Sequence, residues 1–95
     1  MELEVTGPVF EWCGPAPPHF VALAEDDAAL VRDVAAAVTY GWGMVPVAVR
    51  MGEARWTTAL WPKDGTYVVP LKLAARRSEQ VVTGDVVDLV VTIDV

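Results

Sequence analysis

Apolar and polar residues alternate along several stretches of this chain, and the alternation predicts a mostly β protein. Near the start, Leu3 and Val5 alternate with charged and polar residues, as expected of a strand with one buried face. The dipeptide Gly7-Pro8 is expected to bend or bulge this strand, because proline cannot donate a hydrogen bond to a ladder. We expect further strands at His19 to Leu23, Trp56 to Trp61, Thr66 to Val69 and Val87 to Val95.

Two segments depart from this alternation and predict helices. Apolar residues recur at helical spacing from Leu30 to Val38, after the acidic pair Asp26-Asp27, which suits the start of a helix. This predicts a helix from about residue 27 to 38. Pro70 ends a strand and is well placed to open a second, short helix at about 71–78.

Glycine and proline predict the turns. Gly41-Trp42-Gly43 is expected to end the longer helix, and Gly14 to Pro18 is expected to form a stiff, extended loop. Tight turns are predicted at Pro62 to Gly65 and at Gly84-Asp85.

A two-residue turn at Gly52-Glu53 would set the register of a hairpin. Met51 then pairs with Ala54, Arg50 with Arg55, and so on along both strands. One face of this hairpin is the predicted core, with Val45, Val47, Val49, Trp56 and Leu60. The outward face carries Met44, Ala48, Ala59 and Trp61, so it is also apolar apart from the two arginines. Both faces of the hairpin therefore need cover.

Length and composition predict a single domain spanning residues 1–95. The chain is 54% hydrophobic, yet no apolar run approaches the ~18 residues of a membrane helix. Its acidic first residues do not resemble a signal peptide. The single Cys13 fits a reducing compartment. We therefore expect a cytoplasmic protein that does not associate with membranes.

The basic residues are concentrated in one segment, although the net charge is -6. Residues 50–77 hold six of the seven lysines and arginines against two carboxylates, a local balance of +4. The facing arginines could form a fork for phosphate or carboxylate. The resulting hypothesis is an anion site formed by Arg50, Arg55, Lys63, Lys72 and Arg76, with Trp42 and Trp61 as apolar walls.

Two other interpretations of these residues stay open. The basic cluster can be a solvated surface whose long side-chain stems cover apolar groups. A small enzyme could pair Cys13 with His19 across the proline-rich loop, although a lone cysteine usually behaves as a small buried hydrophobe. One cysteine and one histidine are too few for the usual zinc ligands, and no cofactor is predicted.

The net charge and the amino-acid composition both disfavour nucleic acid as a partner. The net negative charge repels phosphates at long range. The chain has no asparagine and only Gln80 as a glutamine, so the usual side chains that recognise adenine are nearly absent. A contact with the DNA backbone alone stays open.

Short motifs are spread over nearly the whole chain. They are Trp12, Gly14-Pro15-Ala16-Pro17, His19-Phe20, Tyr40-Gly41-Trp42-Gly43, Val45-Pro46-Val47, Thr57-Thr58, Pro62-Lys63-Asp64-Gly65, Pro70-Leu71-Lys72, Arg76 and Gly84-Asp85. Together these motifs resemble the bacterial domain-of-unknown-function family nineteen-oh-five. The resemblance implies a small β-barrel of the double-split type and no assigned activity, so no catalytic residues follow from it. Pro18 and Trp61 stand where that family leads us to expect phenylalanine.

A fainter resemblance covers Tyr67 to Val91, which is similar to the half-barrel unit of AbrB-like swapped-hairpin transcription factors. It implies an alternative function as a DNA-binding homodimer, with Lys72, Arg76 and Arg77 near the DNA. A shared fold does not carry a shared function. We therefore expect a binding or interaction module without chemistry of its own, whose partner is an anionic small molecule or a protein.

Overall fold

The computed structural model describes residues 1–12, 19–38 and 43–94. The predictions made for Cys13, for the loop at Gly14 to Pro18, for Gly41-Trp42 and for Val95 lie outside these residues. The strands are β1 (Glu2–Pro8), β2 (Phe10–Glu11), β3 (His19–Ala22), β4 (Val45–Met51), β5 (Ala54–Lys63), β6 (Thr66–Pro70) and β7 (Val86–Thr92). The helices are α1 (Glu25–Val38) and α2 (Leu73–Ser78).

The strands form one sheet in the order β1-β7-β4-β5-β6-β3-β2, and neighbouring strands are antiparallel. The sheet curls until β1 approaches β3; a Cβ added at Gly7 would lie 3.5 Å from Cγ1 of Val21. This arrangement confirms the prediction of a mostly β, barrel-like fold with one longer and one short helix. Neither helix of the described residues is long and apolar enough to cross a membrane.

The inner face of the curled sheet holds the main hydrophobic core. In β4, burial alternates residue by residue, so that its valines face inward and its other residues, up to Arg50, face outward. Ala28 and Val31 of α1 and Ala75 of α2 add to this core from the helices. Each fully buried valine or leucine contributes ~1.5–3 kcal/mol relative to an exposed one. Core residues that are at most 1% exposed include Val5, Val31, Val45, Val49, Leu60, Val69, Leu71, Leu89 and Val91.

The predicted register of the β4–β5 hairpin is confirmed. The ladder runs from Val45 opposite Leu60 to Met51 opposite Ala54, with Arg50 opposite Arg55. Gly52 has φ +60, a conformation that glycine adopts without steric cost. A Cβ at Gly52 would overlap the side-chain carboxylate of Glu79, which lies over this turn.

The second turn is tighter than predicted. β5 continues through Pro62 and Lys63, and only Asp64 and Gly65 form the turn. Both have positive φ, of 51° and 81°, as in the type I′ turns that connect twisted hairpin strands. Pro62 therefore belongs to the strand and not to the turn.

The short helix begins later than predicted, at Leu73 instead of residue 71. The Leu71 amide donates to the carbonyl oxygen of His19 in β3 at 2.9 Å, which holds Leu71 beside the sheet. Lys72 is extended, with φ -69 and ψ 135. Pro70 is consequently the last residue of β6 and does not open the helix.

Two boundaries near the N-terminus also differ. α1 begins at Glu25, two residues earlier than expected, with three acidic residues in its first turn. β1 is not interrupted at Gly7-Pro8 and pairs with β7 as far as Pro8 opposite Val86. Because β1 is an edge strand and Pro8 is its last residue, the missing amide is tolerated. At its other end, β7 stops at Thr92, short of the predicted Val95.

Candidate functional site

Two arginines face each other on the outer surface of the sheet, one pair away from the Gly52 turn. Arg50 lies directly opposite Arg55, and both are exposed. In a two-residue hairpin the pair that flanks the turn is hydrogen-bonded, so the next pair is of the non-hydrogen-bonded kind. Facing Cα atoms in such a pair are only about 4.5 Å apart. The backbone therefore places the first atoms of the two arginine side chains beside each other.

A third cation, Lys72, reaches the same surface from the end of β6. Its position follows from two buried contacts of the neighbouring residues. Trp56 Nε1 donates to the Pro70 carbonyl oxygen at 3.1 Å, and the Leu71 amide is bound to β3. These contacts fix the backbone on the N-terminal side of Lys72.

Arg50, Arg55 and Lys72 line one open concavity of about 660 Å³, which we call the basic concavity. Its floor includes Ala48 and Thr57, whose small side chains leave space beside the arginines. The strands thus bring three positive charges to one surface depression.

Few carboxylates oppose these charges directly. In the described part of the chain, the ion pairs within 4 Å are Lys63 with Asp64 and His19 with Glu11, so none involves the three cations of the basic concavity. Glu2 does line its margin. Acidic residues also share a smaller depression with Arg50, on the side away from Arg55. The positive charge is therefore least offset between Arg55 and Lys72.

The structure does not bring the other two predicted cations to this place. Lys63 lies eight residues from Arg55 along β5, roughly 26 Å away at the usual rise of a strand. Its Nζ contacts Asp64 at 2.8 Å and lies 4.7 Å from the centre of the Trp12 ring. Arg76 does not line the basic concavity; its Nε is buried and has no hydrogen-bond partner among the described residues. Three of the five cations remain in the candidate site.

A second concavity of about 650 Å³ continues along the same outer surface, and we call it the apolar concavity. Met44, Pro46, Ala59 and Trp61 line it, with Asp94 as its one charged residue. Trp61, predicted as a wall of the anion site, therefore stands at the far end of this surface from the arginines. Trp42, the other predicted wall, lies outside the described residues.

An aromatic cluster that the alternation did not predict fixes the position of Trp61. Its ring centre lies 5.3 Å from that of Phe20 and 6.2 Å from that of Trp12. Phe20 is fully buried although it is not part of the inner core. The sheet is thus covered on both faces around Trp61, whereas Ala48 and Thr57 stay exposed. The sequence did carry one sign of this cluster: the outward face of the hairpin is apolar, so other residues had to pack over part of it.

His19 is the described half of the hypothetical Cys13–His19 pair. Its Nε2 lies 2.9 Å from Glu11 Oε1, and its buried Nδ1 has no hydrogen-bond partner in the part of the chain that the structure describes. Among the same residues, no group of three or more histidine, cysteine or carboxylate side chains could hold a metal ion.

Comparison with known proteins identifies one family. The model of the family described as "Domain of unknown function (DUF1905)" matches residues 6–91, nearly the whole chain. No curated protein matches the chain, and no solved structure matches it. None of these findings supports the resemblance of Tyr67 to Val91 to AbrB-like domains.

Proposed function

We propose a binding function for this chain, which belongs to the DUF1905 family of domains of unknown function. It acts as a binding module for small anions, without chemistry of its own. Arg50, Arg55 and Lys72 hold a carboxylate or a phosphate in the basic concavity. The observation that carries this proposal is the presence of three cations in one depression, none of which has a carboxylate of the described residues within 4 Å.

The physical reason lies in the cost of placing like charges together. Two arginines directly opposite each other on a sheet repel, and an anion between them would turn this repulsion into attraction. A guanidinium group presents a planar fork of donors that matches a carboxylate or phosphate, and a lysine adds a third, mobile donor. The site is open to water, so a minimal anion such as acetate is expected to bind with a Kd of about 1 mM, or ~-4 kcal/mol.

A small anion fits the charge distribution better than DNA does. The chain carries a net charge of -6, and Glu2 borders the concavity. A long polyanion would meet these negative charges together with the cations, whereas a single carboxylate or phosphate need only reach the space between Arg55 and Lys72.

Thermal unfolding in acetate or phosphate at constant ionic strength tests the proposal. At ten times its Kd, a ligand that binds only the folded state adds about 1.4 kcal/mol, or about 6 °C for a domain of this size. R50A/R55A should abolish this shift. The matched control K63A/R77A removes the same charge elsewhere and should retain it.

Two results would overturn the proposal: a shift that survives in R50A/R55A, or one that the control loses equally. Short duplex DNA in the same series tests the AbrB-like alternative. That alternative predicts binding that weakens steeply with salt, together with a dimeric mass.

A further inference from the structure

The basic and apolar concavities form one continuous surface, which we call the outer groove. Both are lined by Ala48, Thr57 and Thr92. Thr92 and Thr57 each pair with Ala48, from opposite sides, so the three residues form a single row across β7, β4 and β5. The arginines lie on one side of this row and Trp61 on the other. From Arg55 to Trp61 the path along β5 is roughly 20 Å.

The floor of the outer groove offers few hydrogen bonds to an occupant. Over Ala48–Arg50, β4 pairs with β5 on one side and with β7 on the other, so the backbone donors and acceptors at the middle row and beside the arginines are used within the sheet. An extended peptide therefore cannot bind at this part of the groove by adding a strand, which requires a free sheet edge. The exposed side chains of the middle row are one alanine and two threonines. This composition suits an occupant with a largely apolar body.

Apart from Asp94, the end of the groove away from the arginines is apolar, and it is rigidly supported. Trp61 is half-buried, and its ring packs against Phe20 and Trp12, so its exposed side is a preformed wall. Met44 and Pro46 complete this end. An apolar chain that lies there loses contact with water without having to order the wall first.

We infer that the outer groove binds a free single-chain amphipathic anion. Its carboxylate or phosphate head lies at Arg55 and Lys72, and its unbranched aliphatic chain crosses Ala48 toward Trp61. The inference rests on the proposed function, because the head occupies the proposed anion site. The source is a free molecule and not an anionic bilayer, since the net charge of -6 repels an anionic surface as a whole.

Binding of acetate, hexanoate and decanoate, measured by calorimetry below the micelle concentration, tests the inference. A methylene that is half removed from water improves affinity by about twofold. We therefore expect decanoate to bind about 16-fold more tightly than hexanoate. Decanol, which has the same chain without the charge, should bind much more weakly than decanoate.

Two variants separate the head site from the path of the chain. T57W places a large side chain in the middle row, where an exposed strand position accepts tryptophan. Because Thr57 also lines the basic concavity, the quantity compared is the ratio of the decanoate affinity to the acetate affinity, which T57W should lower toward one. The matched control T83W adds the same ring at an exposed loop position and should bind all three acids as the unmodified chain does. R50A/R55A should weaken acetate and decanoate alike.

The outcomes distinguish this inference from the proposed function. Equal affinities for acetate and decanoate, both lost in R50A/R55A, would overturn the inference and leave the anion site intact. No binding of any acid would overturn both. Decanoate binding that survives R50A/R55A, or that T57W does not change, would also refute the inference. So would tighter binding to phosphatidylglycerol vesicles than to free decanoate, because the source would then be a bilayer.

Discussion

Replacing one of the facing arginines by a carboxylate should stabilise the fold while it destroys the proposed anion site. Arg50 and Arg55 lie directly opposite each other in a non-hydrogen-bonded pair, where side chains approach most closely. In R55E the introduced carboxylate would face Arg50 across the strands. A repulsive pair thus becomes an attractive one at unchanged backbone register.

The size of the effect follows from Coulomb's law with screening. Two unit charges about 7 Å apart interact by ~0.6 kcal/mol in water and ~2.4 kcal/mol at an effective dielectric constant of 20. Physiological salt reduces both values by about half, because the Debye length is ~8 Å. Changing the pair from repulsive to attractive alters the energy by twice this interaction. The entropy lost in holding two exposed side chains together offsets part of that gain. We expect a net gain of ~1 kcal/mol, or about 4–8 °C in Tm.

Urea unfolding at low and high salt measures this gain. R55Q removes the repulsion without adding attraction, so stability should increase from the unmodified chain to R55Q to R55E at low salt. High salt should narrow these differences. R77E is the control for net charge, because Arg77 is exposed on α2; we expect it to lower stability by ~0.3–1 kcal/mol through the dipole at the helix C-terminus.

The reasoning would be refuted if R55E were no more stable than R55Q at low salt. That result would mean that the side chains of Arg50 and Arg55 point apart and do not interact. An anion held between them would then lack its physical basis as well. Conversely, a stable R55E that no longer binds acetate would indicate that the unmodified chain sacrifices stability to keep the anion site.

Three further substitutions test the packing around the groove. G52A should lower the free energy of unfolding by ~1–3 kcal/mol, because alanine is strained at φ +60. Its loss should be larger than that of G65A, by less than ~1 kcal/mol, because the methyl added in G65A meets no atom within 4 Å. Equal losses would show that the Glu79 carboxylate over the Gly52 turn moves without cost. W56F removes the donor to Pro70 and part of a buried ring, so urea unfolding should show a loss of ~2–3 kcal/mol; a loss below ~1 kcal/mol would refute the bond's role in holding Lys72. L60A empties a fully buried position and should lower the free energy of unfolding by ~2–5 kcal/mol. We expect circular dichroism to show a mostly unfolded chain at 37 °C. A cooperative transition near the normal Tm would show instead that the core collapses around the gap.

Local rules were sufficient to predict the β4–β5 hairpin. Gly52 supplies the positive φ that a two-residue turn needs, and valines alternate through β4. A shift of one residue would have exposed every one of these valines, so only one register buries them. For this reason the opposition of Arg50 and Arg55 could be predicted from the sequence.

The composition of the candidate site could be predicted only in part. Charge density along the chain suggested that Lys63 belongs with the arginines, but a strand rises ~3.3 Å per residue and carries Lys63 far from Arg55. The position of Lys72 depends on the bond between Leu71 and His19, two residues that are distant in sequence. No periodicity encodes such a contact.

The outer groove could not be predicted from the sequence for a similar reason. Thr92 lies beside Ala48 because β7 inserts between β1 and β4, and this topology has no local signature. The boundary errors have local causes instead. A proline at the end of an edge strand, such as Pro8, continues the strand that it would interrupt elsewhere.

The order of the strands also has a consequence for how the chain folds. β4, β5 and β6 are consecutive hairpin partners, whereas β1 pairs, among the strands that the structure describes, with β7 alone, and its Glu2 lies opposite Thr92, which is far along the sequence. Closing so long a loop is entropically costly before its contacts form, which slows folding. We therefore expect a nascent chain to form the three-stranded meander early and to wait for β7. Since Thr92 of β7 completes the middle row, we expect the outer groove to form only after β7 has paired with β4.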